Sequence, residues 1–308
     1  LCAAITALEA GARVTVVEKG NRAGGTMRLS SGLIWTFREK EQLRIDVPGG
    51  DAALQDLVVD GLWEGLDWLE ARDVELSDQR ELMWYGSGRL SSPPQMTATL
   101  VERLVQLGGD LRLETPLIGL RETGGRVTGV RVAGPNGDGE IDADVVVLAS
   151  GGFQGNTELL QRYATPHADR LYLRANPWST GDGLLAATAI GGAATANLGE
   201  FYGHTLAAPP TRFNQTEFQE VGQRYGPVAV ALNLDGRRFT DESAGTGEEH
   251  LNHAVASQRE ATAAYVVDAE SAEASYYGSP IASVRIEQLV GRDGPVARSE
   301  SLEGLSEA

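Results

Sequence analysis

Apolar and small residues open the chain at helical spacing. Leu1, Ile5 and Leu8 form a stripe, Ala3, Ala4, Ala7 and Ala10 allow close approach to a sheet, and Gly11 stands where a helix ends. Residues 13–17, RVTVV, follow as a β-branched run, the pattern of a parallel strand covered on both faces. That strand ends on an acid, Glu18. Residues 19–35, KGNRAGGTMRLSSGLIW, are too rich in Gly and Ser for a helix or central strand and read as a loop closing on Leu33, Ile34 and Trp35. Between Asp51 and Glu75, the residues Leu54, Leu57, Val58, Leu62, Leu66 and Leu69 share one helical face, with Trp63 and Trp68 beside it. This predicts one helix with that face in the core. A second helix is predicted over Thr97–Leu107, broken by Gly108, Gly109 and Asp110 before a strand at Leu111–Glu114.

From Pro116 to Ala143 the period changes to two. Turns at Gly124-Gly125 and Asn136-Gly137 divide this stretch into a three-stranded antiparallel meander. DVVVLA, Asp144–Ala149, predicts a further buried strand, followed by SGGF. Beyond Asn156 the chain reads as helices and irregular segments. A short β-like stretch at Val228–Leu234, a turn at DGRRF, a strand at Tyr265–Val267 and a terminal amphipathic SLEGLSEA are the exceptions.

The chain has 308 residues, room for two domains, and its 38 glycines against 12 prolines, without a period, suit an α/β protein with many tight turns. A net charge of −17 argues against nucleic acid or an anionic membrane as partner. One cysteine, Cys2, excludes an internal disulfide framework and a cysteine-based zinc site, and no metal is expected. No apolar run reaches membrane-spanning length and no signal peptide is visible, so a cytoplasmic location is expected.

GARVTVVEKGNRAGGTMRLSSGLIW, GDLRLETPLIGLRETGGRVTGV, DVVVLASGGFQGN, STGDGLLAATAIGGA, GEFYGH and LNLDGRRFTDE occur in this order. Together they resemble the FAD-dependent flavoproteins of the fumarate reductase and succinate dehydrogenase type, a group that includes 3-ketosteroid Δ1-dehydrogenases, urocanate reductase and tricarballylate dehydrogenase. The resemblance implies a Rossmann-like FAD-binding domain with an antiparallel β-meander over residues 1–154, and an α+β substrate cap over 155–308. It also implies that the first strand and GxGxxG turn belong before Leu1, and a last FAD segment after Ala308.

On that resemblance Glu18 is placed to bind the adenosine ribose, with Lys19 beside it. Gly24, Gly25 and Thr26 would let backbone N–H groups approach a phosphate or the flavin, and Ser30, Ser31 and Gly32 would continue along the ring. Leu117 and Ile118 match a backbone contact to adenine, although apolar strand residues bury themselves anyway. Ala149, Ser150, Gly151 and Gly152 would admit the cofactor at a strand end. Asp182 would lie against the flavin, and as an N-cap it would serve its helix equally well.

His204 occupies the position of a substrate-binding histidine, although Thr205 and Leu206 follow where relatives carry Pro-Thr. Arg237, Arg238 and Glu242 would lie near the substrate, or on an exposed charged turn. The segment after Glu242 has no arginine before Arg259, where fumarate reductases carry a proton-donating arginine. His250 and His253, on one helical face, could supply acid–base chemistry or stand as exposed histidines, and GEEHLNH offers too few ligands for a metal. The expected function is oxidation or reduction of a carbon–carbon bond beside a carboxylate or ketone, by hydride exchange with flavin N5, in a tricarballylate dehydrogenase-like or ketosteroid dehydrogenase-like enzyme. A small-molecule substrate and an electron-transfer partner are expected. The alternative is a flavin-binding electron-transfer or partner subunit without dehydrogenase activity of its own.

Overall fold

The computed structural model describes residues 1–82, 85–134, 137–214, 217–244, 249–274 and 282–307. They form two compact units: Leu1–Leu160 with Ala175–Leu198, and Gln161–Arg174 with Gly199–Ala308. Residues 155–160 and 175–198, past the expected boundary at 154, thus pack with the first unit. In chain order the first unit holds α1 (Cys2–Glu9), β1 (Thr15–Val17), β2 (Leu33–Phe37), α2 (Lys40–Asp46), α3 (Ala52–Glu70), β3 (Arg80–Leu82), β4 (Gly86–Leu90), α4 (Pro93–Gln106) and β5 (Asp110–Arg112). The meander β6 (Leu117–Thr123), β7 (Arg126–Val132) and β8 (Gly139–Asp142) follows, then α5 (Thr157–Tyr163), which crosses between the units, and α6 (Asp182–Ala189).

The opening helix forms as its stripe predicts. Ile5 is fully buried against Leu100 and Leu104 of α4, and Gly11 after the helix has φ +86. α4 starts before the expected Thr97 because Ser92 stands at its N-cap with prolines in its first turn, where a missing N–H costs nothing. β1 and β5 run parallel in the register Thr15↔Asp110, Val16↔Leu111, Val17↔Arg112. Among the described residues Thr15 is exposed and Val16 and Val17 are half-buried, so the strand's two faces are covered only in part. The meander forms in the predicted order β6-β7-β8, and Leu120, Val130 and Val132 pack with Ala186 of α6. Of its two turns, Gly124 and Gly125 both take positive φ, while Asn136 lies outside the described residues.

Three further expectations are corrected. Among the described residues DVVVLA joins no ladder, and Val145, Val147 and Leu148 are 77%, 66% and 42% exposed. On α3 the predicted core stripe is buried only at its C-terminal half. Leu66 and Leu69 are covered, whereas Leu54, Leu57 and Val58 are 62%, 68% and 54% exposed, because the core cluster reaches only the last turns of the helix. Finally, Leu33–Trp35 is not the end of a loop but part of β2, in the antiparallel sheet β2-β4-β3. Its middle strand is GSGRL. Gly86 and Gly88 lie under Trp35, where a Cβ on Gly88 would stand 2.5 Å from the Trp35 Cβ, so the missing side chains are what let the indole lie on the sheet.

The second unit holds α7 (Phe218–Val221), β9 (Val230–Leu232), α8 (Glu249–Ala256), β10 (Ala264–Val266), α9 (Ala269–Ala272), α10 (Ala282–Val290) and α11 (Leu302–Glu307). β9 and β10 pair antiparallel, with Ala231 opposite Tyr265, and Ala231, Leu251 and Val255 form one core; Ala207, Val221 and Leu289 form another. No helix of the described residues is long and apolar enough to cross a membrane.

Candidate functional site

In the first unit the end of β1 is fixed by backbone bonds. The Glu18 N–H donates to the Arg112 carbonyl (2.9 Å), and the Glu18 carbonyl accepts from Thr115 N (2.9 Å). The Glu18 carboxylate turns back to accept the Gly20 N–H (2.7 Å). Lys19 reaches the start of α6, where its Nζ donates to Thr180 Oγ1 (2.6 Å) and to the Asp182 carboxylate (2.9 and 3.2 Å). Thr180 in turn donates to Asp182 Oδ1 (2.6 Å). Asp182 is therefore the anchor of an ion pair and not the N-cap, a place taken by Gly181 at φ +84. Thr180, which carries no mark in the sequence beyond its place in STGDG, completes this network.

The glycine loop joins the same region. Gly24 (φ +112) and Gly25 (φ +53) lead into a 3-10 turn, and Thr26 Oγ1 accepts the Asn176 N–H (3.2 Å) and the Gln154 amide (3.4 Å). Gly151 has φ +76, and Gly152 accepts the Gly181 N–H (3.1 Å). A Cβ on Gly183 would stand 2.3 Å from Ser150 Oγ, so the helix start and the Ser150–Gly152 segment approach as closely as backbone allows. Ser30 and Gly32 sit elsewhere in the loop: Ser30 Oγ accepts the Gly32 N–H (3.1 Å) and Gly32 accepts the Ser91 N–H (2.9 Å), fixing the entry to β2. Ala149 and Ser31 are exposed. Leu117 packs with Val17 against the meander core, and its neighbour Ile118 is 45% exposed.

The second unit divides its predicted residues between two places. Arg237 and Arg238 follow the turn at Gly236 (φ +72), closed by the Asn233 N–H to the Arg237 carbonyl (2.9 Å). Glu242, 4% exposed, accepts the Ala231 N–H (2.8 Å) and a forked pair from Arg238 (3.0 and 2.6 Å). Burial pushes its carboxyl up, and the bonds from Arg238 and the Ala231 N–H more than reverse this, so it is held below the ordinary carboxylate value. Arg238 and Glu242 line an open cleft of about 440 Å³ together with Asp241, Ser243, Asp268 and Ser271.

His204 lies with other partners. Its Nε2 is 3.0 Å from the Tyr202 hydroxyl and 3.4 Å from Arg224 Nη2. Neither partner was singled out from the sequence, where 20 residues separate Arg224 from His204. His250 and His253 do not act as a pair. His250 meets Thr240 Oγ1 (3.0 Å), whereas His253 bonds the Phe201 carbonyl (2.6 Å) and faces Glu200 (3.3 Å). Gly247 and Glu248 of GEEHLNH lie outside the described residues.

Residues 1–292 match the family model described as FAD binding domain. The fumarate reductase (cytochrome) of Shewanella frigidimarina is 27% identical over 97% of this chain and 58% of its own length. The open conformation of a flavocytochrome c3 fumarate reductase superposes with a TM-score of 0.66 at 24% identity, covering 99% of this chain and 55% of that one. A 3-ketosteroid-Δ4-(5α)-dehydrogenase from Rhodococcus jostii RHA1 superposes with a TM-score of 0.63 at 20% identity, covering 82% and 61%. These likenesses establish the fold, and the chain spans somewhat over half the length of these relatives. The chain belongs to the FAD-binding domain family, and FAD is its cofactor.

Proposed function

We propose that the whole protein is an FAD-dependent oxidoreductase that adds hydrogen to, or removes it from, a carbon–carbon bond next to a carboxylate or ketone. The observation that carries this reading is the FAD-binding family match over residues 1–292, on a first unit whose own chemistry fits the cofactor. A carboxylate, Glu18, closes the parallel strand, and glycines 24, 25 and 151 take the left-handed backbone from which N–H groups can turn toward a ring or phosphate. Glu18 would hold the ribose hydroxyls and Gly24–Thr26 and Ser150–Gly152 would hold the rest of the nucleotide and the flavin, in a Rossmann-like arrangement. Bound FAD supplies hydride exchange at its flavin nitrogen.

The residues of this chain supply the remainder. Lys19 holds the β1 end to Thr180 and Asp182, which keeps two cofactor-side segments in register. His204 orients the substrate by hydrogen bonding to its carboxylate or carbonyl oxygen. Glu242 positions Arg238, whose side chain is 59% exposed, as a further cation of the substrate-binding unit, with Arg237 beside it. The comparison proteins named above include a fumarate reductase and a ketosteroid dehydrogenase, so both an acid and a ketone are admissible substrates on this reading.

The test is anaerobic mixing of the whole, FAD-loaded protein with dicarboxylates, tricarboxylates and 3-ketosteroids, and in parallel of its dithionite-reduced form with the corresponding enoates and enones. Bleaching or reoxidation of the flavin by one of them is expected. Stable FAD binding with no spectral response to any of them would instead support a flavin-binding electron-transfer or partner subunit.

A further inference from the structure

One face of α3 lies open although it is apolar. Gln55, Leu66 and Leu69 turn to the core and are buried, whereas Leu54, Leu57 and Val58 are 62%, 68% and 54% exposed. Leu54, Val58, Gly61 and Gly65 follow one another at intervals of four, three and four residues, the spacing of a coiled-coil seam. None of these four is charged. Asp56 and Asp60 lie on another side of the helix, where Arg44 and Lys40 of α2 bond them. Of the positions that flank the seam, which are Gln55, Leu57, Leu62 and Glu64, only Glu64 carries a charge.

Gly61 and Gly65 have no local reason to be glycine. Neither takes a positive φ, and among the described residues nothing lies within 4 Å of a Cβ built on either. Glycine inside a helix costs stability relative to alanine, and what it permits is the close approach of another backbone.

The large and small positions of the seam complement each other when their order is reversed. A second α3 laid antiparallel across a twofold axis between Val58 and Gly61 places Leu54 over Gly65 of the second copy and Val58 over its Gly61. The symmetry repeats both layers, so four layers form, each with a large side chain against a glycine. Glu64 then lies beside Leu57 of the second copy and meets no other acid. A parallel pair would stack Leu54 on Leu54 and leave glycine facing glycine across a void. With flanking Ala53, Leu57 and Glu64, the seam opens on the order of 500 Å² per copy, about 1,000 Å² for the pair, at the lower bound of a specific interface and within the range of transient ones.

We propose that this face of α3 is where two copies of the protein meet, as a weak, isologous, antiparallel helix pair.

The test is sedimentation velocity of the whole FAD-loaded protein from about 1 to 200 µM, in the wild type, Leu54→Gln and Gly65→Gln. A dimer with a midpoint of about 10–100 µM is expected, and each variant should weaken it about tenfold or more. Gly65→Gln fills the groove with a better helix former, so its melting temperature at low concentration should equal or exceed that of the wild type, which separates lost pairing from lost folding. Orientation is read by disulfide cross-linking, in a background free of other reactive thiols, Cys2→Ser included. A Leu54→Cys protein should cross-link to a Gly65→Cys protein and neither to itself. A monomer at about 200 µM, a dimer unchanged in both glutamine variants, or self-cross-linking of Leu54→Cys would overturn the proposal. A monomer that Gly65→Gln destabilises would also overturn it, and would assign this face to a covering segment of the whole protein.

Discussion

The pair Arg238–Glu242 is asymmetric, and the asymmetry fixes which variant costs more. Glu242 is 4% exposed, whereas the Arg238 side chain is 59% exposed. Glu242→Gln keeps an oxygen for the Ala231 N–H and leaves Arg238 to water, so the loss is that of a mostly solvated ion pair, about 1 kcal/mol. Arg238→Met leaves a buried carboxylate with its backbone donor alone. That loss lies between the roughly 1–3 kcal/mol of an unsatisfied buried polar group and the roughly 3–5 kcal/mol of an uncompensated buried charge. The double variant removes the stranded charge and should recover part of the loss. Because the folded carboxyl is held below the ordinary carboxylate value, the pair's contribution is complete above that ordinary value and fades as pH falls through the lower folded one. Urea unfolding of all four proteins at pH 7, and down to about pH 3.5, measures both effects. Glu242→Gln should flatten the acid limb. A smaller loss in Arg238→Met than in Glu242→Gln, or acid limbs that coincide, would refute the reasoning.

Glycine variants should show opposite signs. Gly88→Ala puts a methyl 2.2 Å from the Ile34 carbonyl and should destabilise by about 1–3 kcal/mol, while Gly65→Ala, exposed in α3 with nothing within 4 Å, should stabilise by roughly 0.5–1 kcal/mol; thermal melts compare them. Burial pushes the Tyr225 phenol up to about 12, so its ionisation should trail the other tyrosines in a titration followed at the phenolate band. The neutral phenol's contribution to stability is complete below about pH 10 and is lost as pH rises toward 12, and Tyr225→Phe should remove that dependence. Lys19→Met breaks the bonds to Thr180 and Asp182 and should speed FAD dissociation from the whole protein several-fold, an increase of about 1 kcal/mol in the dissociated direction, read by flavin fluorescence. Unchanged release would restrict Lys19 to a role in folding.

Local pattern and tertiary partner explain what the sequence made visible. α1, the body of α4 and the meander are specified by neighbours a few residues apart, namely the stripe through Ile5, the apolar spacing from Leu100 to Leu107 and the double glycine at 124–125, so period and turn chemistry were sufficient to find them, though not the start of α4 at Pro93. The stripe on α3 is as regular from Leu54 to Leu69, yet half of it is exposed, because periodicity says which residues share a face and not what lies against it. DVVVLA has a strand's composition, but a strand exists only through its ladder, and no strand of the described residues pairs with it.

GSGRL shows the reverse error. Glycine weakens a strand taken alone, and here Gly86 and Gly88 are required by the indole of Trp35, some fifty residues earlier in the chain. The same logic separates the candidate residues of the first unit from those of the second. Glu18, Gly24 and Asp182 stand out in the sequence because each lies in a short motif, VVEKG, RAGGT and STGDG. Arg224 does not, since nothing in QRYG distinguishes it from any surface arginine until Leu206↔Gly222 sets the register. Once that single bridge is known, His204 and Arg224 must face each other. The meeting of His204 and Arg224 is thus written in strand pairing, where motif reading cannot reach it, and a one-residue shift of that pairing would carry Arg224 to the opposite face.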